Sequence, residues 1–304
     1  RRKDLRHNSQ GCQLSDHSIP HLPPGQAVSL PGRGTTFYRE ITGPAGAPTV
    51  VLLHGWTATA DLNWYMCYEE LGKHFRVIAP DHRGHGRGIR SLERFRLSDC
   101  ADDVAALMDQ LGIETFIPVG YSMGGTVAQL MWKRHDHRVR GLVLAATAGH
   151  WATSRQERVM FTLATGIGRL ARVIPSSIQQ AISERLYLSR KTMQWEPWAA
   201  QQIASHDWRS ILEAGSALGR FDSRKWLANV DVPTSVVITT EDQVVSPRRQ
   251  RTLANLIPTS HIFEIAGNHD AAFARAAEFV PLLINACLTV HSDALNRPSH
   301  LGNI

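Results

Sequence analysis

Short, nearly uninterrupted apolar runs alternate along the chain with longer segments whose apolar residues recur every three or four positions. Residues 49–53 (Thr-Val-Val-Leu-Leu), 75–79 (Phe-Arg-Val-Ile-Ala), 115–119, 141–146, 235–239 and 261–265 are rich in β-branched and aliphatic side chains. Such runs predict strands, and those without in/out alternation predict strands covered on both faces, as in a parallel sheet. Residues 35–38 read as a shorter strand, with the Gly43-Pro44-Ala45-Gly46 turn beyond it, so a hairpin is expected to open the domain. Between the runs, Cys100, Val104, Leu107 and Leu111 fall on one helical face that ends at Gly112. Ser98 is the expected N-cap there, and Asp99 and Asp102 suit the positive end of the helix dipole. A further helix is expected over 126–134, where Lys133 and Arg134 suit its C-terminal end. Strand and helix in this alternation predict an α/β fold built on a doubly wound, mostly parallel sheet.

The interval 149–227 breaks the alternation. Val159, Leu163, Ile167, Leu170 and Ile174 form one helical stripe, Ile178, Ile182 and Leu186 another, and Pro197 suits the first turn of a third helix. A stretch of that length between two strands is too long for a plain loop and is expected to be a helical cap. The expected organisation is a flexible tail over 1–27, a core over 28–148 and 228–287, the cap over 149–227, and a C-terminal tail over 288–304.

Composition narrows the class without naming a chemistry. The 304 residues are 43% hydrophobic and 20% charged, enough to bury a large core, and no apolar run approaches the roughly 20 residues that span a bilayer. The formal charge of +6 is scattered rather than gathered in an arm or stripe, which argues against a nucleic-acid partner and leaves only peripheral contact with anionic lipid. Cys12, Cys67, Cys100 and Cys287 lie far apart with no Cys-x-x-Cys, so thiols in a reducing compartment are expected rather than a zinc or redox pair. Arg1-Arg2-Lys3 is followed by Asp4, Arg6 and His7 where a signal peptide needs an apolar stretch, so a cytoplasmic location is expected. His82 with His85, and His135 with His137, cluster without a third ligand at matching spacing, so no metal and no cofactor are expected.

The chemistry sits at the ends of the predicted strands. Gly120-Tyr121-Ser122-Met123-Gly124 is a Gly-x-Ser-x-Gly sequence at a strand-to-helix junction, where small residues flanking a sharp turn push the serine hydroxyl out of the sheet. A serine hydroxyl is a weak nucleophile until a base takes its proton, and that base needs a carboxylate to hold and stabilise it. His269, in Gly267-Asn268-His269-Asp270 after the last strand, is the expected base. Asp242, at the end of the Ser235 to Thr240 strand, is the expected acid, with Glu241 as its rival and Asp270 set aside because, adjacent to His269, it would struggle to reach that residue's Nδ1. The backbone N–H groups of Met123 and Trp56 are the expected oxyanion donors, with His54 supporting the Trp56 loop. Trp151, Phe161, Trp195, Trp198 and Trp208 either line an apolar cavity under the cap or simply hold the cap together.

These residues resemble the α/β-hydrolase superfamily, and in particular its capped, single-chain bacterial serine hydrolases of actinobacterial esterase/lipase type. The resemblance covers 28–287 and rests on His54-Gly55-Trp56, on 81–86 (Asp-His-Arg-Gly-His-Gly), on 120–125, on Asp242 and on 267–269. It implies an eight-stranded, mostly parallel sheet, a cap after the sixth strand, and a Ser122, Asp242, His269 triad with Trp56 and Met123 at the oxyanion hole. Members that open epoxides or displace halides carry Asp at the nucleophile position; Ser122 in this chain turns the expectation away from both. The expected function is cleavage of small apolar carboxylic esters of medium to long acyl chain. Carbon–carbon bond hydrolysis of a diketone-like substrate and a non-catalytic ligand receptor are the alternatives.

Overall fold

The computed structural model describes residues 20–152 and 197–296. Eight strands form one sheet: β1 (Gly25–Leu30), β2 (Gly34–Ile41), β3 (Thr49–Leu53), β4 (Arg76–Pro80), β5 (Ile117–Tyr121), β6 (Leu142–Ala145), β7 (Thr234–Thr239) and β8 (Ser260–Ile265). Their spatial order is β1-β2-β4-β3-β5-β6-β7-β8. The β1–β2 and β2–β4 pairs are antiparallel and every later pair is parallel. The fold is the doubly wound α/β sheet expected from the alternating pattern.

The same strands show why their sequences carry no polar face. In β3, Val51 and Leu53 pack into one core while Val50 and Leu52 pack into another across the sheet. Leu142 and Leu144 oppose Val143 and Ala145 in β6, and Val236 and Ile238 oppose Val237 in β7. Because side chains alternate across a strand, a strand sandwiched between helical layers must be apolar at both parities. One layer contains α3 (Leu97–Gln110) and α4 (Met123–His135), the other α1 (Ala60–Trp64) and α2 (Tyr68–Gly72).

Several boundaries differ from expectation. β1 begins at Gly25 and pairs along its length with β2, so the sheet starts inside the segment expected to be a tail; Pro31 to Arg33 form the turn. Ser98 lies within the first turn of α3, whose N-cap is Arg96 and has no side-chain capping bond. The helix expected from 126 begins at Met123, directly after Ser122.

Between β6 and β7 the described residues form α5 (Pro197–Ala204) and α6 (Trp208–Arg220), where Pro197 opens its helix as expected and Asp207 caps the next by accepting from Arg209 N at 3.2 Å. The stripes at 159–174 and 178–186 lie outside the described residues. After β7 come α7 (Pro247–Leu256) and, past β8, α8 (Ala271–Ala274) and α9 (Ala276–Leu295). The expected tail from 288 is therefore corrected: α9 runs to Leu295, because the stripe Phe279, Leu283, Ala286, Cys287 continues to the fully buried Val290. Among the described residues no helix is long and apolar enough to cross a membrane.

Candidate active site

The strand order turns at β3, which has β4 on one side and β5 on the other, and a crevice opens outside the carboxyl ends of strands at such a point. Ser122 sits there, between β5 and α4, with φ 54° and ψ −119°. For a residue with a Cβ this backbone is strained, and it persists only where the surroundings hold it. Here Ser122 N donates to Ala145 O at 2.9 Å, while Ser122 O accepts from Gly125 N at 3.0 Å and from Thr147 Oγ1 at 2.7 Å. A Cβ on Gly124 would collide with the Leu53 carbonyl and one on Gly120 with the Gly124 carbonyl, so the sharp turn requires glycine on both sides of the serine.

The structure brings together three residues far apart in sequence. The Ser122 hydroxyl lies 2.9 Å from His269 Nε2, and His269 Nδ1 lies 2.8 Å from Asp242 Oδ2. Asp242 is buried, and its other oxygen accepts the N–H groups of Val244 and Val245, both at 2.8 Å. Burial alone pushes this carboxyl's pKa up. The hydrogen bond and charge attraction from His269, with the Val245 N–H and the Thr239 hydroxyl, outweigh burial and bring it below the ordinary value. Of the three carboxylates weighed from the sequence, Asp242 is the one that meets His269 Nδ1. Glu241 is exposed, with its N–H bonded to Gly267 O, and Asp270 occupies the N-cap position of α8.

The residues that hold these three side chains in place lie outside the motifs singled out in the sequence. Gln250, on α7, donates through Nε2 to Asp242 Oδ2 at 3.2 Å, Thr239 Oγ1 at 2.9 Å and Val245 O at 2.7 Å, and accepts from Thr239 N at 3.1 Å. It was detectable in principle as a glutamine on the stripe Gln250, Leu253, Ala254, Ile257, where burial demands a purpose for every polar group. The Tyr121 hydroxyl donates to His269 O at 2.8 Å, and Asn268 Oδ1 accepts from Gln243 N at 3.0 Å and His269 N at 2.7 Å. These tie the β7 and β8 loops together, and nothing local in either loop announces it.

Met123 follows the serine directly, and Trp56 lines the same cavity. Met123 is the first residue of α4, so its N–H is among those with no acceptor inside the helix. The Trp56 loop is held peptide by peptide. Gly55 N donates to Asn63 Oδ1 at 2.9 Å, and His54 Nδ1 is 2.8 Å from Gly55 O. His54 Nε2 accepts from His82 N at 2.9 Å, so the ring's proton is on Nδ1 and is donated to that carbonyl. In a trans peptide the carbonyl and the next N–H point in opposite directions, so fixing Gly55 O also fixes the direction of the Trp56 N–H. The Trp56 indole donates to Ile211 O of α6 at 2.8 Å.

His54, His82, His85 and His206 form a buried group behind this loop, with ring centroids 4.4 Å apart for His54 and His82 and 5.5 Å for His85 and His206. Burial lowers the pKa of all four. Among the described residues no group of three or more His, Cys, Asp or Glu is placed to hold a metal ion.

A cavity of about 250 Å³ opens on the site, lined by residues that include Trp56, Leu62, Asn63, Ser122, His269 and Phe273. The aromatic set proposed for such a cavity lies elsewhere where it is described. The Trp151 indole donates to Thr126 Oγ1 at 3.0 Å inside the core, Trp198 meets Tyr65, and Trp208 meets His206. Phe161 and Trp195 lie outside the described residues. Cys67, Cys100 and Cys287 are buried, unpaired thiols, and burial pushes Cys67 up to about 12.

Residues 48–276 match the family model described as the alpha/beta hydrolase fold, and the chain belongs to that family. It is a hydrolase of the α/β-hydrolase type. It is 30% identical over 263 residues, 83% of this chain and 92% of the other, to the Yersinia enterocolitica protein named "Putative carbamate hydrolase RutD". An enol-lactonase from Burkholderia xenovorans superposes with a TM-score of 0.71 at 24% identity, over 86% of this chain and 100% of that one. An esterase from Thermogutta terrifontis does so at 0.71 and 22%, over 88% and 99%.

Proposed function

We propose that the protein is a serine hydrolase of carboxylic esters, of esterase or lipase type, acting through Ser122, His269 and Asp242. The observation that carries the reading is the continuous hydrogen-bonded chain from Asp242 through His269 to a serine hydroxyl at a strained turn. Ser122 Oγ attacks the ester carbonyl carbon as His269 Nε2 takes its proton, and the carbonyl electron pair moves onto oxygen. The N–H groups of Trp56 and Met123 stabilise that oxyanion, each such donor contributing about 10²–10³ in rate in comparable sites. Collapse expels the alcohol oxygen, which takes the proton from His269 and leaves an acyl-Ser122 ester. Water then attacks that ester while His269 removes a proton from it; the proton returns to Ser122 Oγ as the acid departs. Asp242 stays ionised throughout, holding His269 in the Nδ1–H tautomer and balancing the charge of the transient imidazolium.

The substrate is a small, largely apolar ester, in keeping with Leu62, Ala58, Ala272 and Phe273 on the cavity wall. The segment expected to form most of the cap, which would set acyl length, lies outside the described residues. The test is hydrolysis of p-nitrophenyl esters from acetyl to palmitoyl, with the rate of the Ser122→Ala protein subtracted at each length. A serine-dependent profile supports the proposal, and its maximum gives the acyl preference. Equal rates for the two proteins overturn it and direct attention to carbon–carbon hydrolysis or ligand sensing.

A further inference from the structure

We infer that Asp270 sets the charge class of the substrate: the cavity accepts esters that are neutral or cationic beside the scissile bond and rejects those bearing a carboxylate there. The inference rests on the esterase reading and adds to it a role for a residue that reading leaves unused.

Asp270 follows His269 directly and lines the same cavity as Ser122 and the base. Its main chain is occupied, since its carbonyl accepts from Phe273 N at 3.0 Å and Ala274 N at 2.9 Å. Its side chain is not used this way: at the N-cap position of α8 it makes no capping hydrogen bond. Apart from the titratable His269 ring, it is the one formally charged residue on the cavity wall among the described residues. The nearest arginine in sequence is already paired, because Arg275 donates to both carboxylate oxygens of Glu278 at 2.7 Å. The Asp270 charge also acts on Tyr121, which lines the same cavity, adding to burial and Asp242 in pushing that hydroxyl's pKa upward.

An exposed carboxylate acts over about a Debye length, roughly 10 Å at 0.1 M salt, which spans a cavity of this size. A substrate with a second carboxylate near its acyl carbonyl therefore enters against repulsion. The same repulsion acts on the product, because hydrolysis converts a neutral ester into a carboxylate inside the cavity. Asp270 thus favours both entry of uncharged ester and departure of acid.

The experiment compares p-nitrophenyl butanoate with p-nitrophenyl hemisuccinate, which carries a free carboxylate at the end of a similar acyl chain. The readout is the hemisuccinate-to-butanoate ratio of kcat/KM in the wild type and in Asp270→Asn. The ratio cancels general damage, and the substitution keeps side-chain size. The ratio is expected to rise about 3- to 10-fold in the variant at low salt, and the difference to shrink in 0.5 M NaCl. Butanoate should also inhibit the variant more tightly than the wild type. A ratio unchanged by Asp270→Asn overturns the inference, as does a change insensitive to salt. Failure of the esterase reading looks different: neither ester would then show turnover above that of the Ser122→Ala protein.

Discussion

Acidification should loosen the fold through His206, and the size of the effect follows from its environment. His206 lies between α5 and α6, 7% exposed, and ties that segment to the loop of the active site. Its Nδ1 accepts from Gly86 N at 2.9 Å, so the proton of the neutral ring is on Nε2, which donates to Thr57 O at 3.1 Å. Protonating Nδ1 would set a donor against a donor. Burial, helped by His54 and Arg90 and opposed by the Thr57 carbonyl and Asp81, brings the pKa down to about 4. In the unfolded chain the value is about 6.5. Between those values the unfolded state binds the extra proton, so stability is whole above pH 6.5 and falls as pH drops toward 4. At about 1.4 kcal/mol per unit, His206 alone costs roughly 2 kcal/mol at pH 5 and roughly 3 kcal/mol below pH 4. Urea unfolding followed by tryptophan fluorescence at pH 8 and pH 5 measures this directly. The wild type should lose about 2 kcal/mol more between the two pH values than His206→Gln, whatever the variant's stability at pH 8. Identical losses would refute the reasoning, because an untitrated side chain cannot reproduce a proton-linked slope.

Three further outcomes are expected. Asp242→Asn removes the charge that holds and balances His269 and should lower kcat for p-nitrophenyl butanoate by about 10³- to 10⁴-fold with KM little changed; a loss below tenfold would exclude Asp242 as the acid. Gly124→Ala places a methyl group on the Leu53 carbonyl and should destabilise the fold by about 3 kcal/mol or more, read as a drop in Tm, whereas an unchanged Tm would contradict the packing of the turn. Tyr121→Phe deletes the hydroxyl that holds the His269 carbonyl and should cost about 0.5–1.5 kcal/mol of stability together with a several-fold loss in kcat. A fall in Tm without any change in kcat would show that the tyrosine does not position the base.

The sequence by itself determined whatever depends on residues close together in the chain. The β3, β6 and β7 runs had to be strands covered on both faces because they offer no polar parity, and the structure places a separate core on each side of them. The turn at Ser122 was legible because a serine with φ 54° leaves its mark locally, as glycines where no Cβ fits. Asp242 and His269 were legible because both follow strand ends, and a parallel sheet brings its carboxyl ends to one edge. Local signals also failed in identifiable ways. Ser98 has the chemistry of a cap, but α3 is capped two residues earlier, at Arg96, and the Val290 stripe crosses the point where a C-terminal tail is expected to begin. Tertiary structure alone decided that Gln250 holds the Asp242 carboxylate, that the Tyr121 hydroxyl holds the His269 carbonyl, that Asn63 and His54 fix the Gly55 peptide, and that Asp270 lines the cavity. Each of these is a hydrogen bond or proximity whose direction depends on how separate elements pack. Period and composition record whether a side chain is buried, but a buried polar group's partner is selected by geometry that no single segment contains.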